Sequence, residues 1–327
     1  MAALHLGETT APVSFQDYDS DEQEYADVIA DNEIARWAEL DLPSVNLDMK
    51  DLGPDFDLEL LGIDGFKLDL IPPEPQCDED EVPENVEPKA KLGDIYRLGN
   101  HRLMCGDSGN YSSTETLMNG LVAEMVYTDP PYGVSYQSNM RTKSEKFQVI
   151  DNDDVFLTEW VSNVHAFSNG WVFVWTTWKV IKEWIGITEP IGDMTNVIVW
   201  DKGGGGIGDL TGTFSTDYEV ALVFNRGAKI TGKRLGSVWS IGKDKAKSYL
   251  HPTQKPVELA QTALENCTKE GDIVLDLFGG SGSTLIACEK TNRKCFMMEL
   301  DPKYIDVIVA RWEKYTGQKV ELLNGAT

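Results

Sequence analysis

The stretch Thr128-Asp129-Pro130-Pro131-Tyr132-Gly133 decides how the rest of the chain is read. It follows Ala123-Glu124-Met125-Val126-Tyr127, a short apolar run of strand length. Two consecutive prolines cannot continue a strand, so the chain must leave it in an extended, rigid turn. That turn sets a carboxylate, a proline carbonyl and an aromatic ring at the C-terminal end of a buried strand. Asp129 and the Pro130 carbonyl can accept hydrogen bonds from an exocyclic amino group, and Tyr132 can stack on the base that carries it. The plain alternative is an Asp-Pro turn leaving a strand.

A second stretch lies far downstream: Ile273-Val274-Leu275-Asp276-Leu277-Phe278-Gly279-Gly280-Ser281-Gly282-Ser283. It reads as a strand, a glycine turn and the start of a helix over residues 283–290. Its glycines let backbone approach a ligand. Leu285 stands where a full dinucleotide fingerprint has a third glycine, so the Gly-Ser-Gly alone is weak evidence for any nucleotide. The next strand, Cys295-Phe296-Met297-Met298, ends in Glu299, an acid about 20 residues past the glycines, as ribose hydroxyls require. A strand-end acid near Lys303 is the alternative.

Together the two stretches resemble amino-directed DNA methyltransferases, which methylate N6 of adenine or N4 of cytosine. The cofactor loop follows the catalytic motif, the order of the permuted beta class of bacteria and phages, and the resemblance covers about residues 91–317. It implies a seven-stranded, mainly parallel, Rossmann-like α/β sheet in which the strand before Asp129 lies beside the strand ending in Asp276. It implies catalytic Asp129, Pro130, Pro131 and Tyr132. It implies that S-adenosyl-L-methionine is held by Asp276, Phe278, Gly280, Ser281, Gly282, Ser283 and Glu299. In Gly106-Asp107-Ser108, Asp107 takes the place beside the cofactor's adenine, or else caps the helix over residues 112–121. Thr253, Gln254 and Lys255, in His251-Pro252-Thr253-Gln254-Lys255-Pro256, take the cofactor's methionine end at the start of a helix over residues 257–268. The reaction implied is methyl transfer to adenine N6 in double-stranded DNA, with the base flipped out. Cytosine N4 methylation and a non-catalytic DNA-binding or decoy protein are the alternatives. A nicotinamide dehydrogenase leaves Asp-Pro-Pro-Tyr unexplained.

Composition bounds the rest. The chain has 327 residues, 41% of them hydrophobic, enough for a real core. Its apolar runs are strand-length, so no transmembrane helix or membrane partner is expected, and the acidic N-terminus does not resemble a signal peptide. Five scattered cysteines lack metal spacing, which suits a reduced, cytoplasmic protein without structural zinc. The net charge of −25 is uneven: residues 1–90 hold 25 acids and 4 bases, and the remainder 29 and 25.

The domains expected are an acidic segment over 1–70, a Pro- and acid-rich extended linker over 71–91 and a catalytic domain over 92–327. Part of the first, residues 26–62, resembles the helical end of ParB/sulfiredoxin-like domains and reads as a remnant; an acidic arm that mimics DNA is the alternative. Gly99-Asn100 marks a hairpin turn, with His101 as a turn histidine. Residues 135–154 read as a mobile loop over DNA, with Asp153 and Asp154 capping a helix over 155–167. The four glycines from Gly203 read as a flexible connection. Residues 226–250 are rich in Lys and Arg and read as a short target-recognition region that contacts phosphates, or as a solvated loop. A homodimer is a candidate assembly, and a cognate restriction nuclease is left open.

Overall fold

The computed structural model describes residue 20 and residues 75–83, 86–132, 156–204, 214, 216–242 and 254–324. Apart from Ser20, the acidic segment over 1–70, the loop over 135–154 with Asp153 and Asp154, and Thr253 lie outside them.

Among the described residues, ten strands form one sheet. In chain order they are β1 (Ile95–Leu98), β2 (His101–Cys105), β3 (Ala123–Thr128), β4 (Ser168–Thr176), β5 (Met194–Asp201), β6 (Tyr218–Asn225), β7 (Val238–Ser240), β8 (Ile273–Asp276), β9 (Lys294–Glu299) and β10 (Glu321–Leu322). The spatial order is β10-β1-β2-β9-β8-β3-β4-β6-β5-β7. Strands β2, β9, β8, β3 and β4 pair in parallel, and β6 runs antiparallel to both of its neighbours, β4 and β5. The expected seven-stranded, mainly parallel sheet is therefore the run from β2 to β5, widened by the β1 hairpin partner, β10 and β7.

Among the described residues the α-helices are α1 (Tyr111–Met118), α2 (Trp160–Phe167), α3 (Ile181–Thr188), α4 (Val257–Cys267), α5 (Ser283–Lys290) and α6 (Pro302–Thr316). Their placement follows from the two-residue alternation of side chains along a strand. Met125 and Tyr127 of β3, Val274 of β8 and Cys295 and Met297 of β9 share one core with α4, α5 and α6. Val126, Leu275, Phe296 and Met298 point the other way, into a core with α1, α2 and α3. Both faces are covered, so the middle positions of the central strands are apolar on both sides, with polar residues confined to their ends.

Local details depart from the expectations for local reasons. Helix α2 begins at Trp160, not residue 155, because the fully buried Trp160 ring donates Nε1 to the Leu157 carbonyl (2.9 Å) and fixes the approach as a turn. Glu159 occupies the N-cap position without a side-chain capping bond. Helix α1 is capped by Asn110, whose side chain accepts from the Ser113 N–H (3.1 Å), so Asp107 does not cap it. His101 is buried: its Nδ1 accepts from the Cys295 N–H (2.9 Å), so Nε2 carries the proton and faces Glu289 (2.8 Å). The acid-rich stretch expected as an extended linker is bonded to the domain. Gln76 donates its N–H to the Tyr315 carbonyl (2.9 Å), and Lys89 donates its N–H to Asp306 (2.7 Å).

Candidate active site

The chain order reverses between β3 and β8, which are neighbours in the sheet although 144 residues separate the end of one from the start of the other. Parallel sheets open a crevice at such a point, beyond the C-terminal ends of the strands. Asp107, Glu299, the glycine turn and Asp129 follow β2, β9, β8 and β3, so one edge of the sheet carries them all.

At the strand ends, Thr128 donates its hydroxyl to Asp276 (3.2 Å). Asp276 also accepts from the Phe278 N–H (3.1 Å) and is buried. Burial pushes its carboxyl up to about 7, against the downward pull of its Thr284, Phe278 and Thr128 donors. Asp276 thus ties the Asp129 strand to the glycine turn. Its oxygens are committed to the protein, so its part in holding a ligand is to shape the turn.

The turn itself is held from the next strand. Glu299 accepts the Gly280 N–H on one oxygen (2.8 Å) and the Asp301 N–H on the other (2.9 Å). Burial raises its carboxyl, and these backbone donors oppose the shift. Gly280 and Gly282 have φ of 53° and 85°, conformations that favour glycine. A Cβ at Gly279 would meet Met297 Sδ at 2.8 Å, but one at Gly280 would meet nothing within 4 Å. The turn therefore packs on its inner side and presents bare backbone to open space at Gly280. That bare backbone, bonded to the Glu299 carboxylate, fits an adenosyl group. Ser281 is buried, and its carbonyl accepts from Arg311 (2.8 Å). Ser283 donates its hydroxyl to the Lys255 carbonyl (2.8 Å), which joins the turn to the lead-in of α4. Phe278 packs edge-on against Trp160, 5.6 Å between ring centres.

Asp129 is not alone. The Lys255 ammonium bonds its Oδ2, and the Tyr132 hydroxyl donates to its Oδ1 (2.8 Å). Lys255 was expected at the cofactor's methionine end. Its carbonyl faces the glycine turn through Ser283, but its side chain turns towards the catalytic motif. The same ammonium lies 3.0 Å from the Tyr132 hydroxyl and 3.3 Å from Glu219, and 5.5 Å from the centre of the Trp175 ring. Burial alone would lower the Lys255 pKa; Asp129 and Glu219 outweigh it and hold the ammonium charged. Burial raises the Asp129 carboxyl, with Lys255 pulling it back. Gln254 is buried and Asp107 exposed, its carboxylate accepting from the Gly109 N–H (2.9 Å).

Glu219 is the site residue that sequence reasoning missed. Its Oε2 lies 3.2 Å from the Tyr132 hydroxyl, and its Oε1 takes Lys202. It stands near the start of β6, and only because β6 is antiparallel does that start lie on the catalytic edge. An acid before an apolar run was the available signal, but it says nothing about strand direction.

The same reversal divides the basic region expected over 226–250. Arg226, Lys229, Lys233 and Arg234 follow the C-terminal end of β6, on the sheet edge opposite Asp129. Arg226 donates to the His165 carbonyl (2.9 Å) and Thr231 donates its N–H to Asn266 (2.8 Å), both far from the catalytic turn. This part braces the fold. The strand β7 then returns to the catalytic edge, and Lys243, Lys245 and Lys247, after it, lie outside the described residues.

The fold sets an acid- and proline-bearing turn beside a glycine turn at the switch point of a largely parallel sheet. The DNA methylase family of N6- and N4-directed enzymes matches residues 123–310, and the chain belongs to that family. The type II methyltransferase M.HhaII of Haemophilus parahaemolyticus is 30% identical over 129 residues, which cover 38% of this chain and 56% of that protein. M.HinfI of Haemophilus influenzae is 26% identical over 240 residues, covering 62% and 66%. The chain thus spans between about half and two thirds of the length of these curated relatives. A putative DNA modification methylase from Thermus thermophilus, solved with S-adenosyl-L-methionine, is 22% identical with a TM-score of 0.49, covering 69% of this chain and 99% of that one.

Proposed function

We propose that this protein transfers a methyl group from S-adenosyl-L-methionine to the N6 amino group of adenine in double-stranded DNA. The observation that carries the reading is the junction of the two turns: Asp129 leaves β3 one residue after Thr128, which is bonded to Asp276 at the head of the glycine turn.

When bound, the cofactor supplies an electrophilic methyl group on a sulfonium. Phe278, the Gly280 backbone, Glu299 and Asp107 would hold its adenosyl part, with Thr253 and Gln254 towards the methionine end. Asp129 and the Pro130 carbonyl accept hydrogen bonds from the target amine. That nitrogen's lone pair is delocalised into the ring, and two acceptors favour a pyramidal nitrogen that can attack. Alignment supplies much of the rate, and the Asp129 carboxylate stabilises the positive charge that develops on nitrogen. Tyr132 stacks on the base. A duplex hides this atom, so the base is extruded into the crevice. The Lys255 ammonium favours the ionised form of Asp129, and Lys202, paired with Glu219, offsets the opposing pull of that second carboxylate.

Asp at the head of the proline motif resembles the adenine-directed members, and cytosine N4 is the alternative target. The beta-class assignment rests on the same resemblance, the ParB-like remnant on a separate one over residues 26–62, and a cytoplasmic setting on the scattered cysteines. The test is incubation of unmethylated genomic DNA with radioactive methyl donor, followed by digestion and mass analysis of the nucleosides. N6-methyladenine is expected; N4-methylcytosine transfers the reading to the other base, and unlabelled DNA ends it. Asp129→Ala should abolish labelling while calorimetric cofactor binding survives.

A further inference from the structure

Residues 75–83 lie far in sequence from both motifs, yet they reach the base of the proposed cofactor pocket. Asp80 is 3% exposed. Its Oδ1 accepts the Val257 N–H (2.9 Å), the first backbone donor of α4. Its carbonyl accepts from the Gln254 side chain (2.9 Å), also buried. A carboxylate at a helix N-terminus satisfies an otherwise open donor and suits the helix dipole. The residue at the α4 N-cap position is Pro256, which cannot cap with a side chain, so the cap comes from 177 residues away.

The second contact is Arg311 of α6, 2% exposed. One Nη donates to the Glu79 carbonyl (2.7 Å) and the other to the Ser281 carbonyl in the glycine turn (2.8 Å). Asp80 Oδ1 lies 4.0 Å from the same guanidinium. Burial lowers Arg311 to about 10, with Asp80 opposing the shift. Lys290 bonds Glu79, and Lys314 bonds Glu81 (2.7 Å) at the exposed rim. The acidic stretch thus grips the two pieces of chain, 254–257 and 281, between which the methionine end of the cofactor is placed.

We propose that Asp80, with Arg311, is a positioning element of the cofactor pocket: the strap over residues 75–83 sets the separation between the α4 N-terminus and the glycine turn. The inference rests on the cofactor reading above. It gives the acidic stretch ahead of the catalytic domain a task in cofactor binding rather than in linking.

The test uses the full chain and calorimetric titration with S-adenosyl-L-methionine, well below each variant's melting temperature. Asp80→Ala should weaken binding about tenfold, the scale of a lost cap and its buried charge partner. KM for the cofactor should rise with it, while KM for DNA and kcat at saturating cofactor stay unchanged. Asp80→Asn, which keeps an oxygen for the Val257 N–H, should recover part of the affinity. Lys314→Ala, at the outer rim of the strap, should bind as wild type. If Asp80→Ala fails to fold, Asp80→Asn carries the comparison, and wild-type affinity in it overturns the proposal. A lowered melting temperature with unchanged affinity also overturns it, since the strap then only stabilises. Wild-type protein that gives no binding heat sinks the cofactor reading and the strap's task together; wild type that binds beside variants that bind equally sinks the strap alone.

Discussion

Replacing Lys255 by methionine tests the charge arrangement at the catalytic turn. The ammonium is 8% exposed and is shared by Asp129 and Glu219. Lys255→Met keeps the stem's volume and leaves two carboxylates facing one another across the Tyr132 hydroxyl. Breaking a fully buried ion pair costs about 3–5 kcal/mol. Asp129 keeps 28% of its side chain exposed and Glu219 21%, and Glu219 retains Lys202, so about 2 kcal/mol is the expected loss. For a domain of this size that is about 4–8 °C in melting temperature. The sign with pH follows from the causes. Lys255 is what pulls the Asp129 carboxyl down; without it, burial and Glu219 both push it up. The stability deficit is therefore largest at pH 8 and shrinks as the pH falls and Asp129 takes up a proton. The raised Lys255 pKa contributes stability that is fully present at both pH values below and is lost only in strongly alkaline solution, above its usual value. Scanning calorimetry at pH 8 and pH 5.5 measures both quantities. Lys255→Met/Glu219→Gln should recover about half of the loss at pH 8, because one of the opposed charges is gone. Equal melting temperatures for wild type and Lys255→Met at both pH values would refute the reasoning, since they would show no charge held there against its desolvation.

Asp276→Asn should flatten the dependence of stability on pH. With a folded pKa of about 7 against roughly 3.9 when unfolded, this carboxyl favours the native state in acid and loses that contribution as pH rises towards and through 7; urea midpoints between pH 5 and pH 8 give the slope. Two glycine replacements separate folding from binding. Gly282→Ala, at φ 85° with Ile308 carbons 3.3 Å from the new Cβ, should lose about 1–2 kcal/mol of stability. Gly280→Ala, where a Cβ meets nothing within 4 Å, should lose about 1 kcal/mol but more than tenfold in cofactor affinity by calorimetry. Unchanged affinity in Gly280→Ala would move the ligand off the glycine turn.

Much of the fold was legible because its signals are local. Short continuous apolar runs marked β3, β4, β5, β6, β8 and β9, and Pro and Gly marked several of their ends. The helix expected over 283–290 is α5, residue for residue. The strand pairing of Asp129 and Asp276 came from resemblance, and the sheet order bears it out. The acid ahead of β6 carried no sign of its role, and the eight basic residues between Arg226 and Lys255 looked like one region.

By itself the sequence determined most of the segments that are strands and helices, though not β7 or β10, which turns carry an acid, an aromatic ring and bare glycine backbone, and therefore what chemistry is available. Those choices depend on a few neighbouring residues. Only the tertiary structure decided that Glu219 shares Lys255 with Asp129, that Arg226 to Arg234 sit on the far edge, and that Asp80 caps a helix at Val257. Each of these depends on strand direction or on a contact closed across more than a hundred residues or across the width of the sheet. Such contacts are set by how whole faces pack, which no short window of sequence contains.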